Sequence, residues 1–408
     1  MVKSWKSNYA ALLTALLFSF MGWSFSNPVI PFFLEDDLGV RDPQALKLWV
    51  GLSASGLSFT MAIFAPIWGH LADIFSRRTM LLRSIVGNAV IIPLMFFVKT
   101  PVQVMLLRTL LGCMGGTLAA ATVMTVGIVP AAHVGLALGL IQTCVAVGNA
   151  LGPLAGGLMA DLFGNRVTFL GTSVFYIIAG LIILKFVEKD KPPESQKEKT
   201  KFNLLPDFKP VLNSPLLITL LLITFAIQAV NTIATPMLPL YVKELVIRGT
   251  ETPRYISSIS GLILGIGAVT TALGAVISGK ICSRVGYWKM LNFCLIAGAI
   301  MTIPQALVVN VIWLAVFRAL SMFFIGGVTP VQQTLLAATT EKKHQGTVYG
   351  LNASVSQTGS AAGPMIGSAL AMIGYRAAFL GSAAILGLSS FISFRRMKKN
   401  KESARPRN

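Results

Sequence analysis

The sequence predicts an all-α polytopic membrane protein of twelve transmembrane helices, arranged as two parallel six-helix repeats. Three observations carry that expectation: a composition too apolar for a water-facing surface, twelve long apolar stretches, and internal similarity at nearly one offset. Of 408 residues, 54% are hydrophobic and 12% charged, with a mean hydropathy of +0.72. Soluble domains carry about 25% charged residues, so a soluble enzyme, a disordered chain and a secreted disulfide scaffold are all excluded. The four cysteines (Cys113, Cys144, Cys282, Cys294) form no C-x-x-C pair, which removes zinc and disulfide frameworks by spacing.

A helix that crosses the hydrocarbon needs about 20 mostly apolar residues. Twelve stretches qualify: 8–33, 48–68, 79–98, 102–126, 135–160, 167–187, 214–241, 256–279, 288–308, 310–335, 346–372 and 377–395. They are too long, and too little alternating, for barrel strands of about 10 residues. The first stretch has no small-residue cleavage site and reads as an uncleaved span. An even span count puts both termini on one side, and basic residues select that side. Connections on the terminal side carry 24 of the 34 Lys and Arg, against 8 on the other. The expected topology therefore has both termini in the cytoplasm of a cell (inner) membrane. The same bias accounts for the net charge of +19 without a nucleic-acid partner.

The polar stretch 188–213 divides the chain into bundles 1–187 and 214–395, with a basic tail at 396–408. The bundles are copies. Pro28 and Pro31 match Pro236 and Pro239 at offset 208; Gly69 and Arg108 match Gly279 and Arg318 at 210. The run Gly148, Gly152, Pro153, Gly156 matches Gly359, Gly363, Pro364, Gly367 at 211. Six spans per copy keep both in the same orientation, one of the known transporter plans, with a substrate site between halves near the midplane.

Within this frame, a few residues carry chemistry. Gly69 to Leu81 forms a tight turn in which Asp73 can cap a helix or pair with Arg77 or Arg78, a breakable latch. Its second-half copy has Ser283 in place of the acid. Arg108 lies within span 4, where a charge costs at least about 2.5–3.5 kcal/mol and needs a partner or a polar cavity. Gly148, Gly152 and Gly156, with Gly157 beside them, give span 5 a flat face for a second helix, and Pro153 deletes a backbone hydrogen bond to bend it. None of the fifteen carboxylates is mid-span. Glu35, Asp36 and Asp161 at the outer mouth are then the candidates for a titrating group. Uncharged polar residues in the spans (Asn27, Gln142, Asn149, Gln228, Asn231, Asn352 and Gln357, with Trp23) would line a mostly apolar cavity suited to lipophilic compounds. Gly274–Lys280 lacks the Ser/Thr of a phosphate loop, and Asn352-Ala353-Ser354 lies within a span. No cofactor, metal or enzymatic constellation is expected.

Together these residues resemble the major facilitator superfamily over nearly the whole chain. Gly69–Leu81 is similar to its G-x-L-x-D-x-x-G-R-[KR] signature, departing at Ser76 and Ile74. Arg108 with Gly112 resembles its span-4 R-x-x-x-G signature, associated with proton transfer. Gly148–Gly157 resembles the span-5 G-x-x-x-G-P-x-x-G-G signature of the antiporter branch. The resemblance implies the major facilitator fold and a bacterial drug:proton antiporter. Such a protein exports lipophilic or amphipathic small molecules through alternating access, as protons enter. Asp73, Arg77, Arg78, Arg108, Glu35, Asp36 and Asp161 would couple or gate. A monomer in the lipid bilayer suffices, because one chain supplies both halves. Two alternatives stay open: a narrow metabolite or siderophore carrier, and a non-transporting sensor on the same fold.

Overall fold

The computed structural model describes residues 5–74, 76–188, 214–249, 255–340 and 345–403, and every regular element among them is helical. Eleven of these helices are long and apolar enough to cross a membrane. The expected span at 346–372 is the one that falls short. It forms a continuous helix, Gln345–Ile373, but Asn352, Ser354, Ser356, Gln357, Thr358 and Ser360 lower its hydropathy. The expected linker, 188–213, lies outside the described residues except for Glu188. The tail expected from 396 begins as helix, because span 12 runs Tyr375–Ser403 and its last part, from 395 on, has mostly strong helix formers and no Gly or Pro to stop it.

The chain forms two compact units. The first is Met1–Lys201 with Leu238–Ala268, and the second is Phe202–Met237 with Val269–Asn408. The second part of span 7 and the first part of span 8 therefore pack with the first bundle. Span 7 can divide in this way because it breaks at its prolines: helix Pro215–Ile233 ends, a turn carries Pro236, and helix Leu238–Gly249 follows. Span 1 breaks at the matching place, after Trp5–Phe25, where Pro28 and Pro31 interrupt the backbone ladder. Span 8 is one unbroken helix, Ile256–Val285.

Helix starts follow the local chemistry. Thr100 and Gln103 form a reciprocal capping box ahead of span 4, and Ser76, Ser214 and Asn310 accept from the backbone at the starts of spans 3, 7 and 10. Span 4 is split into Pro101–Cys113 and Thr117–Ile128. Gly116 adopts φ +106°, a left-handed conformation that glycine tolerates. In span 10 the residue matching Gly115 is Ile325, and that helix runs unbroken over Val311–Thr339.

Glycines set the packing. A Cβ on Gly148, Gly152 or Gly156 would overlap the backbone of span 1 at Phe20, Met21 or Phe25. In the second unit, Gly359, Gly363 and Gly367 meet Phe225, Ala229 and Ile233 of span 7 in the same way. Ser24 Oγ adds a bond to Gly148 O at 2.9 Å. Gly156→Ala should therefore cost about 1–3 kcal/mol through overpacking. Gly139→Ala, at a position with open space around it, should be neutral or slightly stabilising. Thermal unfolding of the two variants in detergent checks the contrast.

Candidate functional site

Arg108 sits in the first segment of span 4 and faces a cavity in the first unit. The cavity offers about 30 Å³ to water centres, room for one or two waters. Its polar lining is Trp23, Ser26, Asn27, Asn88, Arg108 and Tyr176. Two of the cavity residues expected from the sequence, Trp23 and Asn27, thus share a site with the expected arginine. Leu57 enters the same wall because Gly112 has no side chain to exclude span 2. None of the ion pairs among the described residues includes Arg108. Its copy, Arg318, is 5% exposed and likewise enters none of the ion pairs among the described residues. Arg318 Nη2 donates to Thr235 Oγ1 at 3.2 Å, while its Nε is buried without a partner among the described residues. Thr235 matches Asn27 in the repeat, so each unit sets a polar side chain from its first span beside its span arginine.

The predicted outer end holds the acids. Lys243 Nζ lies 2.8 Å from Glu35 Oε2 and 3.9 Å from Asp36 Oδ1, joining the end of span 1 to the helix after the span 7 break. Asp161, at the end of span 5, caps the start of span 8. Ser257 N donates to its Oδ1 at 3.2 Å, and Ser258 N and Oγ donate to its Oδ2 at 2.7 and 2.6 Å. A carboxylate there satisfies orphan donors and complements the helix dipole. Spans 5 and 8 approach closely beneath this cap: a Cβ on Gly157 would strike Ser257 O, and Cβ atoms on Gly261 and Gly265 would strike Pro153 O and Ala150 O. All of these contacts lie inside the first compact unit.

Sequence reasoning missed a structural hub here. Asp37 accepts from Arg166 Nε at 3.1 Å and from Asn165 Nδ2 at 2.8 Å, while Arg166 Nη1 donates to Phe96 O and Val98 O. Arg166 thereby ties together the 1–2, 3–4 and 5–6 connections. The available signal was Arg376, at the same place in the second copy.

At the opposite end, the side chains of Gly69 and Asp73 lie outside the described set. Arg78 is buried and donates to Ile183 O and Leu184 O, completing carbonyls at the end of span 6. Arg77 Nη1 reaches Val123 O at 3.3 Å. Also unforeseen, the span 4 break is held from spans 2 and 3. Trp68 Nε1 donates to Cys113 O and Arg83 Nη2 to Gly115 O, both at 2.7 Å, with the Arg83 guanidinium 3.4 Å from the Trp68 ring centre.

The remaining polar candidates divide. In the second unit, Gln228 Nε2 donates to Ser356 Oγ (2.7 Å) and Asn231 Nδ2 to Gln228 Oε1 (3.2 Å). Asn352 Oδ1 accepts from Thr224 Oγ1 (2.7 Å) and Gln332 Nε2 (3.2 Å). These bonds carry the polar helix of span 11 against spans 7 and 10. Asn149 and Gln357 are half-buried, and Gln142 is exposed on its unit.

Comparison with known proteins places this architecture. The family model described as Major Facilitator Superfamily matches residues 12–309 and 256–408. The chain belongs to the Major Facilitator Superfamily. It is similar to the multidrug resistance protein MdtG of Proteus mirabilis, 33% identical over 96% of this chain and 97% of that one. MdtG of Citrobacter koseri is also 33% identical, over 98% and 97%. Among solved structures, a mutant of the nucleoside transporter NupG superimposes with a TM-score of 0.81 at 12% identity, covering 95% of this chain and 99% of that one. A bacterial homologue of the lysosomal transporter Spinster gives 0.77 at 14% identity, covering 98% of each. The protein is thus a multi-pass membrane protein with the all-α fold of this superfamily of carriers.

Because Asn352 Oδ1 is a buried acceptor shared by Thr224 Oγ1 and Gln332 Nε2, Asn352→Leu should destabilise by about 1–3 kcal/mol by removing it, although Gln332 Nε2 keeps Thr224 Oγ1 at 2.7 Å. Adding Gln332→Met should cost less than the sum of the single changes. Unfolding of the three variants in detergent measures the coupling.

Proposed function

We propose that this protein is a secondary efflux carrier that exchanges lipophilic or amphipathic small molecules for protons by alternating access. The observation that carries this reading is Arg108, a cation within span 4 that lines a water-sized cavity and enters none of the ion pairs among the described residues. A charge kept in a membrane at such cost marks a functional site. The relatives named as multidrug resistance proteins, similar over nearly their whole length, support export of varied compounds. Two parallel repeats fit rocking of bundles 1–187 and 214–395 about a central path, in a single chain with both termini cytoplasmic.

On this reading the outer end is sealed by two carboxylate devices: the Asp161 cap on span 8 and the Lys243 pairs with Glu35 and Asp36. Each attraction requires an ionised carboxylate, so a proton taken up there weakens it. Protons arriving from an acidic exterior would loosen the seal from the side they enter. Inside, the fixed positive charge of Arg108 sets the electrostatic cost of any cation, proton or substrate, that enters the path. Asp73 with Arg77 or Arg78 would provide the cytoplasmic counterpart.

Everted membrane vesicles with an imposed pH gradient and a proton-sensing dye test this proposal. Dye recovery is expected for several unrelated amphipathic compounds, and it should be abolished by Arg108→Ala. Recovery for a single compound would point instead to a narrow carrier. Asp161→Asn keeps an acceptor at the cap but removes the charge. Losing the dipole interaction, about 0.3–1 kcal/mol, should shift the closed–open balance roughly two- to fivefold and flatten the acidic limb of the pH–rate profile.

A further inference from the structure

Asn88 lies on span 3 (Arg77–Leu94), on the wall of the Arg108 cavity. It is 2% exposed. Its Nδ2 donates to Ser84 O at 2.9 Å, one turn back on its own helix, which fixes the orientation of the amide. The other end of that amide is unusual. Among the cavity's polar side chains, Asn88 carries the buried atom, Oδ1, that lacks a partner among the described residues. A buried acceptor left unmade costs about 1–3 kcal/mol. Across the same small space stands Arg108, a cation with five donors and no acid.

The same face of span 3 holds both segments of the broken span 4. Arg83 donates to Gly115 O, Ser84 Oγ lies 2.6 Å from Thr117 Oγ1, and Asn88 follows Ser84 by one turn. Span 3 thus fixes the break while it brings a neutral acceptor to the arginine.

We propose that Asn88 is the positioning residue of Arg108, its Oδ1 serving as the guanidinium's neutral acceptor at the cavity they share. The inference rests on the proton-coupled role proposed above for Arg108. Neutrality is the point of the amide. An acceptor without charge orients the guanidinium and leaves its full positive charge available, whereas a carboxylate would cancel it.

The test uses the full-length protein in proteoliposomes, reading proton-driven exchange against pH. Asn88→Leu removes the acceptor at similar size. It should slow exchange about tenfold, the equivalent of one hydrogen bond to a charged group, and displace the pH profile. Asn88→Asp keeps the shape and adds a charge. Paired with Arg108 it stays ionised, so exchange should remain low across the whole pH range. Asn292→Leu is the control for loss of a buried asparagine: Asn292 Nδ2 makes the same one-turn bond, to Trp288 O, but its Oδ1 is satisfied by Ser390. Its pH profile should match wild type.

Wild-type rate and pH dependence in Asn88→Leu or in Asn88→Asp would overturn the inference, as would an equal displacement in Asn292→Leu. Arg108→Ala separates the two levels of argument. If it is inactive while Asn88→Leu is normal, the positioning role alone fails. If Arg108→Ala itself exchanges normally, the coupling role and the inference fail together.

Discussion

Hydrocarbon offers no hydrogen bonds, so a polar group inside a span must find its partner in the protein. That constraint organises the whole structure. Hydroxyls within the spans fold back on the carbonyl one turn earlier, as Ser19, Thr125, Thr172 and Ser382 do. Arg78 completes the carbonyls that end span 6, and Trp68 and Arg83 complete those exposed by the break in span 4. Against this background of satisfaction the exceptions stand out. Arg318 Nε and Asn88 Oδ1 are among the buried atoms without a hydrogen-bond partner among the described residues, and Arg108 shares a small cavity with Asn88, which is why the functional reading gathers there.

The repeat shows what is structural and what is particular to one half. Both copies lay a glycine face of their fifth span on their first, and both break that first span at prolines. The close approach of span 5 to span 8 belongs to the first copy. Gly157 and Asp161 have Ser368 and Met372 at the matching places, so the second copy has neither the second bare face nor the acidic cap. The span 4 break is also one-sided, since Gly115 has become Ile325. Asymmetry of this kind gives one bundle the acidic cap and the other the polar network around Asn352.

Much of the fold was legible in the sequence because its signals are local or periodic: apolar length, basic connections, glycines four residues apart. Span 11 is instructive. Its hydropathy is diluted by Asn352, Gln357 and a run of serines, yet its Gly-Pro pattern and place in the repeat identify it. The site was only partly legible. Arg108 announced itself as a charge in a span, and Trp23 and Asn27 as polar or aromatic groups near it. Asn88 did not, because a lone asparagine in a span carries no sign of what stands opposite. The Asp37–Arg166 hub joins residues more than 120 positions apart, and the Asp161 cap joins the ends of two different spans. Such contacts follow from packing, which no local pattern encodes. The turn around Arg77 and Arg78 reads in the sequence as a latch on Asp73, whose side chain lies outside the described residues; the structure has Arg78 completing the end of span 6.

The central claim is that the acids at the predicted outer end close a path that must open during transport. Electron–electron distance measurement between spin labels tests it most directly, with the four native cysteines replaced and labels at Phe163 and Leu262, both exposed near the Asp161 cap. The account predicts a short distance at neutral pH, a longer population that grows on acidification, and the longer population already present at neutral pH in Asp161→Asn. One distance distribution that neither pH nor this substitution changes would contradict it.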